Sequence, residues 1–266
     1  IISTDTPLLF FWCLSFYSLL KLFETKGHFW SLILGISLGL GFLTKYAILF
    51  FIIGLFLSIV DRRIFKEDLY KIFVSFIVFL IVISPNIHWN LVNNLSTVNH
   101  TVYNANLSNI DFNLFEMIRF IISQFLIFGP IFLFLYIFRI LKFNTLQQKE
   151  LFLVYFSLPI FLIIILQAFL KTSNANWAAT ALPTSVVLIS GLANRTNFFL
   201  NGILKLGIII NMCVLIFLLK TYVFGNLYPI HLASDPLRKL KGYPFQSKEM
   251  KNLIDDNKPS AIIFLT

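Results

Sequence analysis

Polar positions in this chain are sparse and clustered, and the runs between them are apolar on every face. Taking roughly 17–25 mostly apolar residues as one membrane-crossing helix, about eight segments qualify: 6–23, 29–44, 46–60, 70–88, 117–141, 151–170, 177–193 and 202–219. None needs a helical period, because a helix facing lipid on one side and protein on the other is apolar all round. Only Lys45 separates the second segment from the third, and one long kinked helix is the alternative there. The pattern changes after residue 219. Ser234-Asp235-Pro236 reads as a turn and helix start, 246–256 as an amphipathic helix with Met250, Leu253 and Ile254 inward, and Asn257-Lys258-Pro259 as its break. The apolar end 261–266 then reads as a strand beginning.

The predicted fold class is therefore an all-α polytopic membrane protein. Residues 1–219 form the transmembrane domain with a loop at 89–116, and 220–266 open a small external α/β domain. The start Ile1-Ile2-Ser3, without methionine or basic leader, and the ending in mid-strand both read as the ends of a piece of a longer protein.

Composition narrows the function classes. Of 266 residues 58% are hydrophobic, 17% aromatic and 12% charged, against roughly 25% charged in a soluble domain. A soluble domain, a disordered chain and a basic-patch nucleic-acid binder are excluded. The net charge of +9 then reflects topology and contact with anionic membrane lipid. Arg62, Arg63, Lys66 and Lys71 crowd the connection 61–71, and Lys142 and Lys149 follow the fifth segment beside Arg139, whereas 89–116 holds no Lys or Arg. With basic loops in the cytoplasm, the loop 89–116, Asp5, Lys45 and the tail face outward. The two cysteines, Cys13 and Cys213, lie inside apolar runs and suit buried thiols better than a disulfide or metal pair.

Residues able to carry chemistry gather on that outer side. Asp5, in Ser3-Thr4-Asp5-Thr6-Pro7, suits a helix start, and as a carboxylate at the membrane boundary it can equally orient an acceptor or bind a sugar or metal. Lys45 is an ionisable group between apolar runs. It either snorkels to the interface or supplies a point charge for a lipid phosphate, with the Thr44 and Tyr46 hydroxyls beside it. Ser84-Pro85-Asn86-Ile87-His88-Trp89-Asn90 places an interfacial tryptophan among groups suited to sugar binding: His88, Trp89 and Asn90. The polar turn Lys171-Thr172-Ser173-Asn174-Ala175-Asn176-Trp177 is either a cap with an aromatic anchor or a polar ligand site. In the second case Lys171 is the cation, Asn174 and Asn176 the amides and Trp177 the aromatic face. Arg119, Gln124 and Gln167 lie toward the same side. No phosphate-cradling GxxxxGK[ST] loop, HExxH zinc motif or GxSxG elbow is present, and no ligand cluster for a metal can be assigned.

In order along the chain, these stretches resemble the motifs of one family. Thr4-Asp5-Thr6-Pro7-Leu8-Leu9-Phe10-Phe11-Trp12, Leu38-Gly39-Leu40-Gly41-Phe42-Leu43-Thr44-Lys45-Tyr46, Ser84–Asn90, Asn174-Ala175-Asn176-Trp177-Ala178-Ala179 and Asp235-Pro236-Leu237-Arg238-Lys239-Leu240-Lys241-Gly242-Tyr243 are similar to runs in the membrane glycosyltransferases related to dolichyl-phosphate-mannose–protein mannosyltransferases and bacterial aminoarabinose transferases. The resemblance implies a GT-C-like fold in a bacterial inner membrane, with an active site facing the periplasm. Such enzymes move a sugar from a polyprenyl-phosphate carrier to a lipid, glycan or protein acceptor. It further implies that Asp5 is the second essential acidic residue and that Lys45 lies at the lipid phosphate, with Tyr46 and Lys171 near. The family's acidic general base belongs to a loop that precedes the Thr-Asp-x-Pro run. Some relatives bind an external divalent metal. The competing readings are a lipid or solute transporter or flippase, which predicts broken helices, and a membrane scaffold without catalysis.

Overall fold

A computed structural model describes residues 3–25, 27–61, 66–105, 112–193, 198–224 and 251–252. The chain divides into two units, 2–207 and 208–266. The regular elements of the described residues are all helices, with no strand among them. The α/β domain expected over 220–266, and the 235–243 motif with it, fall outside the described residues apart from the end of the last helix and residues 251–252.

The larger unit begins with α1 (Asp5–Glu24), α2 (Phe29–Thr44) and α3 (Phe50–Val60), followed by α4 (Lys66–Val92) and α5 (Ser96–Ala105). After these come α6 (Leu114–Ile127), α7 (Pro130–Leu141), α8 (Gln148–Tyr155), α9 (Leu158–Leu170), α10 (Leu182–Ala193) and α11 (Phe198–Phe224), whose later part from Ile208 belongs to the second unit. All eight expected segments are helical, but the expected count of eight crossings is not reproduced. Among the described residues five stretches are long and apolar enough to span a membrane: Asp5–Glu24, Asp68–Val92, Gln148–Leu170, Ala175–Leu192 and Phe199–Lys220. A sixth is added if α6 and α7, bent by 110° at their junction, are one broken span. The bend is set at Gly129, whose φ of 92° lies where a side chain would be strained, followed by Pro130, which opens α7. The pair over 29–60 is not one kinked helix. Lys45 is extended (φ −165°, ψ 134°), a 3₁₀ turn Tyr46–Leu49 follows, and each flanking helix is shorter than a full crossing.

Helices in lipid gain little from hydrophobic burial against one another and depend on close packing. Gly35 and Gly39 of α2 provide it: a β-carbon on Gly39 would lie 2.6 Å from Val82 Cγ1, and one on Gly35 would collide with the Ser75 carbonyl of α4. The α1–α2 seam carries a buried hydroxyl pair, Ser15 and Ser37, at 2.8 Å. An aromatic cluster ties α1, α3 and α8 together. The fully buried Trp12, Phe51 and Phe156 meet with ring centroids 5.3 Å apart for Trp12–Phe51 and 4.7 Å for Phe51–Phe156. In α4, Pro85 has no N–H for the Ile81 carbonyl one turn back, and the Ser84 hydroxyl donates to that carbonyl at 2.8 Å instead.

Buried charge is paired. Arg139 of α7 is 4% exposed and grips Glu150 of α8 through two N–H groups, Nε to Oε1 at 3.0 Å and Nη2 to Oε2 at 2.7 Å, while also donating to Thr145. Glu150 Oε2 accepts the Gln147 N–H as well, which anchors the start of α8. At the same end, Lys71 donates to the terminal carbonyls Leu22 O (3.1 Å) and Thr25 O (3.0 Å) of the α1 end and to Asp68 Oδ1 (3.1 Å). A cation at a helix C-terminus meets both unsatisfied carbonyls and the favourable end of the dipole.

Two stability outcomes follow. Gly35→Ala should cost about 1–3 kcal/mol, because the facing atom is backbone and cannot yield, whereas Gly191→Ala, with nothing within 4 Å, should be neutral. Equal thermal midpoints in detergent for the two variants would remove close approach as the reason for Gly35. Arg139→Met should cost about 3–5 kcal/mol by stranding a buried carboxylate, and Arg139→Met/Glu150→Leu should recover most of it. A double variant no more stable than the single one would contradict this account.

Candidate functional site

The site is built where one end of α1 meets two breaks in helical structure. α1 starts at Thr4–Asp5, and Pro7 falls in its first turn, where the missing N–H costs nothing. Asp5 therefore stands at the positive end of the α1 dipole, which favours a carboxylate. Lys45 lies in the extended residue between α2 and the 3₁₀ turn, its N–H closing α2 on Gly41 O. Asn176 lies in a second 3₁₀ segment, Ala175–Ala181, between α9 and α10.

These three meet. Lys45 Nζ donates to Asp5 Oδ1 at 2.6 Å and Asn176 Nδ2 to Asp5 Oδ2 at 2.5 Å. Ser3 Oγ also donates to Oδ2 at 3.2 Å and accepts the Asp5 N–H at 3.2 Å. Both carboxylate oxygens are thus engaged, and the carboxylate is held from three directions. The ion pair is sheltered but reachable, with side chains 19% exposed for Asp5 and 28% for Lys45. An ammonium has three N–H donors, so contact with one carboxylate oxygen leaves capacity for an incoming anion.

Support comes from α6. Buried Gln124 donates to Ala175 O at 3.0 Å and fixes the segment that carries Asn176. The start of α6 is bound to the end of α9 by Asn113 N–H to Phe169 O at 2.7 Å. Gln124 stood out in the sequence only as a polar residue on the outer side, and its clamp joins positions 51 residues apart.

The other expected site residues are placed less uniformly. Tyr46 stacks on Phe42 (centroids 4.5 Å apart) and lines a cavity of about 330 Å³ with Asn86, Asn90, Leu49 and Ile87. Thr44 donates its hydroxyl to Gly41 O at 2.7 Å, inside its own helix. Asn90 is buried and organises the turn after α4: Nδ2 donates to Asn86 O (3.0 Å), Oδ1 accepts Thr97 N–H (3.1 Å), and its carbonyl accepts Leu95 N–H (2.7 Å). That turn carries two residues in the left-handed region, Asn94 (φ 53°) and Leu95 (φ 55°). His88 and Trp89 are exposed on α4, Trp89 at 50%, and neither lines the Tyr46 cavity. Asn174 is exposed at the start of the 3₁₀ segment, where its carbonyl accepts Trp177 N–H at 3.0 Å. Trp177 packs half-buried against the core. Lys171 closes α9 and is not among the described partners of Asp5.

Among the described residues no group of three or more His, Cys, Asp or Glu is placed to hold a metal ion. The donor set at Asp5, one carboxylate already bonded to a lysine and two neutral donors, does not fit one either. What the arrangement offers is a fixed, accessible cation beside a carboxylate.

The family model for dolichyl-phosphate-mannose–protein mannosyltransferase matches residues 1–89, which contain Asp5, Lys45 and the α4 motif as far as Trp89. The lipid A galacturonosyltransferase RgtD of Rhizobium johnstonii is 33% identical over 217 residues, which is 77% of this chain and 45% of that protein. The chain thus spans about half the length of the curated relative it matches. No solved structure matches the chain. Together with the all-helical membrane architecture, these two matches support a membrane glycosyltransferase similar to the dolichyl-phosphate-mannose–protein mannosyltransferase family.

Proposed function

We propose that the chain carries the donor-phosphate half of a reaction that moves a sugar from a polyprenyl-phosphate carrier to an acceptor. The observation that carries this reading is the convergence of Asp5, Lys45 and Asn176, drawn from positions 40 and 171 residues apart, on one point at the membrane edge. When an acceptor hydroxyl attacks the anomeric carbon, the bond from that carbon to the phosphate oxygen breaks and negative charge grows on the departing polyprenyl phosphate. A preorganised cation that meets this charge supplies a large share of the rate. Lys45 is that cation, and Asp5 holds its ammonium in place. Asn176 and Ser3 hold Asp5. The acceptor's proton passes to a base outside this trio, since both Asp5 oxygens are already bonded.

A lipid acceptor is favoured among lipid, glycan and protein. The relative RgtD is named for lipid A, and the apolar cavity under Tyr46 suits an amphiphile. Lys71, which caps the end of α1, and Lys149, which lines a cavity with Glu24, lie at the opposite end of α1 from Asp5, which supports a site on the outer, periplasmic face of a bacterial inner membrane. One observation favours a second reading: the 110° break between α6 and α7 has the form found in lipid or solute carriers.

In the full-length protein, Lys45→Met and Asp5→Asn should each lower transfer by about 10²–10³-fold in membranes supplied with labelled carrier-linked sugar. Asn176→Ala, which leaves the ion pair in place, should lose about ten-fold. Wild-type transfer by both Lys45→Met and Asp5→Asn would sink the assignment. Vesicles given labelled carrier lipid and no acceptor separate the two readings. The enzyme leaves the lipid in its leaflet, and a flippase moves it across.

A further inference from the structure

The transfer reaction gives no role to the outward face of α6, nor to the 110° bend that separates this helix from α7. α7 follows the crossing Gln148–Leu170 in the opposite direction. Its Tyr136 bonds Ser157 at 2.8 Å, and Arg139, one turn further on, bonds Glu150, which lies seven residues before Ser157. A helix bent by 110° from that line runs across the bundle, close to the membrane plane. Two contacts fix its height. Asn113, just before α6, donates its N–H to Phe169 O at the end of α9, and Gln124, in the last turn of α6, donates to Ala175 O beside Asn176. Both acceptors belong to the turn region that leads from α9 to Asn176, so both ends of α6 lie at the Asp5 end of the bundle. A membrane-crossing helix would separate positions 113 and 124 by roughly 16 Å along the normal.

Around its axis α6 carries three kinds of side chain. Phe120 and Gln124 are buried and Met117 packs on the core, which marks the side facing the bundle. Phe115, Ile118, Ile122 and Leu126, spaced by three and four residues, form an apolar stripe turned away from it, Ile122 56% and Leu126 73% exposed. Glu116, Arg119 and Ser123 form a polar edge between these two sides, with exposed Arg119 donating to Glu116 Oε1 at 3.2 Å. An apolar stripe with a polar edge along one side of it is what a boundary between headgroups and hydrocarbon requires of a helix lying in it. We infer that α6 is seated in the lipid leaflet on the Asp5 side, its stripe among acyl chains and the Arg119 guanidinium at phospholipid phosphate. Glu116 engages one guanidinium nitrogen, which leaves Arg119 further N–H donors for that phosphate. The seat accounts for the bend at Gly129 without the broken spans of a carrier. Through the Gln124–Ala175 bond it also ties the membrane surface to the segment that carries Asn176. The inference concerns a lipid surface and does not depend on sugar transfer being the activity.

The test uses the full-length protein in phospholipid vesicles. In a background free of other cysteines, spin labels are attached through Ile118→Cys, Ile122→Cys and Leu126→Cys, and their depth is read from relaxation by oxygen against a water-soluble nickel chelate. The three labels should be reached by oxygen and report one common depth, whereas a label attached through Arg119→Cys should lie nearer the water and meet the chelate. A crossing helix would give a ramp of roughly 12 Å from Ile118 to Leu126. Labels reached by the chelate alone would place the stripe in water, and labels reached by neither reagent would place a protein partner over it. Any of these three results overturns the inference. Wild-type protein, which needs no substitution and so no allowance for misfolding, gives a second readout. A phospholipid with a photoreactive group near its glycerol should crosslink to residues 114–127, and a crosslink map without that segment would overturn the inference as well.

Discussion

Charge placement is the constraint on which the rest of this structure depends. An ionised side chain in hydrocarbon is costly, so charges are driven to helix ends, and once there they need partners. Each described charge that is well sheltered has one. Lys71 takes the last carbonyls of α1, Arg139 takes Glu150, and Lys45 takes Asp5. The first two pairs are structural, deep or satisfied from all sides. The third is held equally firmly, yet both of its side chains remain partly exposed.

The breaks in helical structure serve the same end. A continuous helix through residue 45 would carry Lys45 on a helix surface and orient it by helical periodicity alone. The extended residue and 3₁₀ turn instead turn it toward α1. A second 3₁₀ segment does this for Asn176, and Gln124 pins it from α6. Irregular backbone is tolerated in a membrane protein where protein or a cavity covers it, and both irregular segments here lie beside the Asp5 carboxylate.

Much of this was legible in the sequence. Apolar runs reveal helices because hydrocarbon demands them, and Asp5, Lys45 and Asn176 stand out because polar residues are rare in such a chain. The sequence could not reveal that the three touch, since contact over 171 residues depends on packing with no local signature. The eight expected segments and the five or six stretches long enough to cross, among the described residues, differ for a related reason. Counting apolar residues ignores where the backbone breaks, and Gly129 and Lys45 break it. Glu150 escaped notice although Gln147-Gln148-Lys149-Glu150 before an apolar run is a helix-start pattern, and its partner Arg139 looked like one more basic residue beside a loop. Asn90, expected at a sugar, holds a turn, because an amide serves backbone as readily as ligand.

The span between Asp5 and Asn176 has a consequence for biogenesis. A polytopic chain enters the membrane from its N-terminus, so α1 and α2 can bring Asp5 and Lys45 together early. The Asn176 amide arrives only after α9 has been made and returned to the same face. Until then one carboxylate oxygen lacks its strongest neutral donor, and the cation is held by half of its eventual support. Completion of the trio thus reports that insertion has passed α9, and a chain stalled before that point would expose an acidic group without its amide partner.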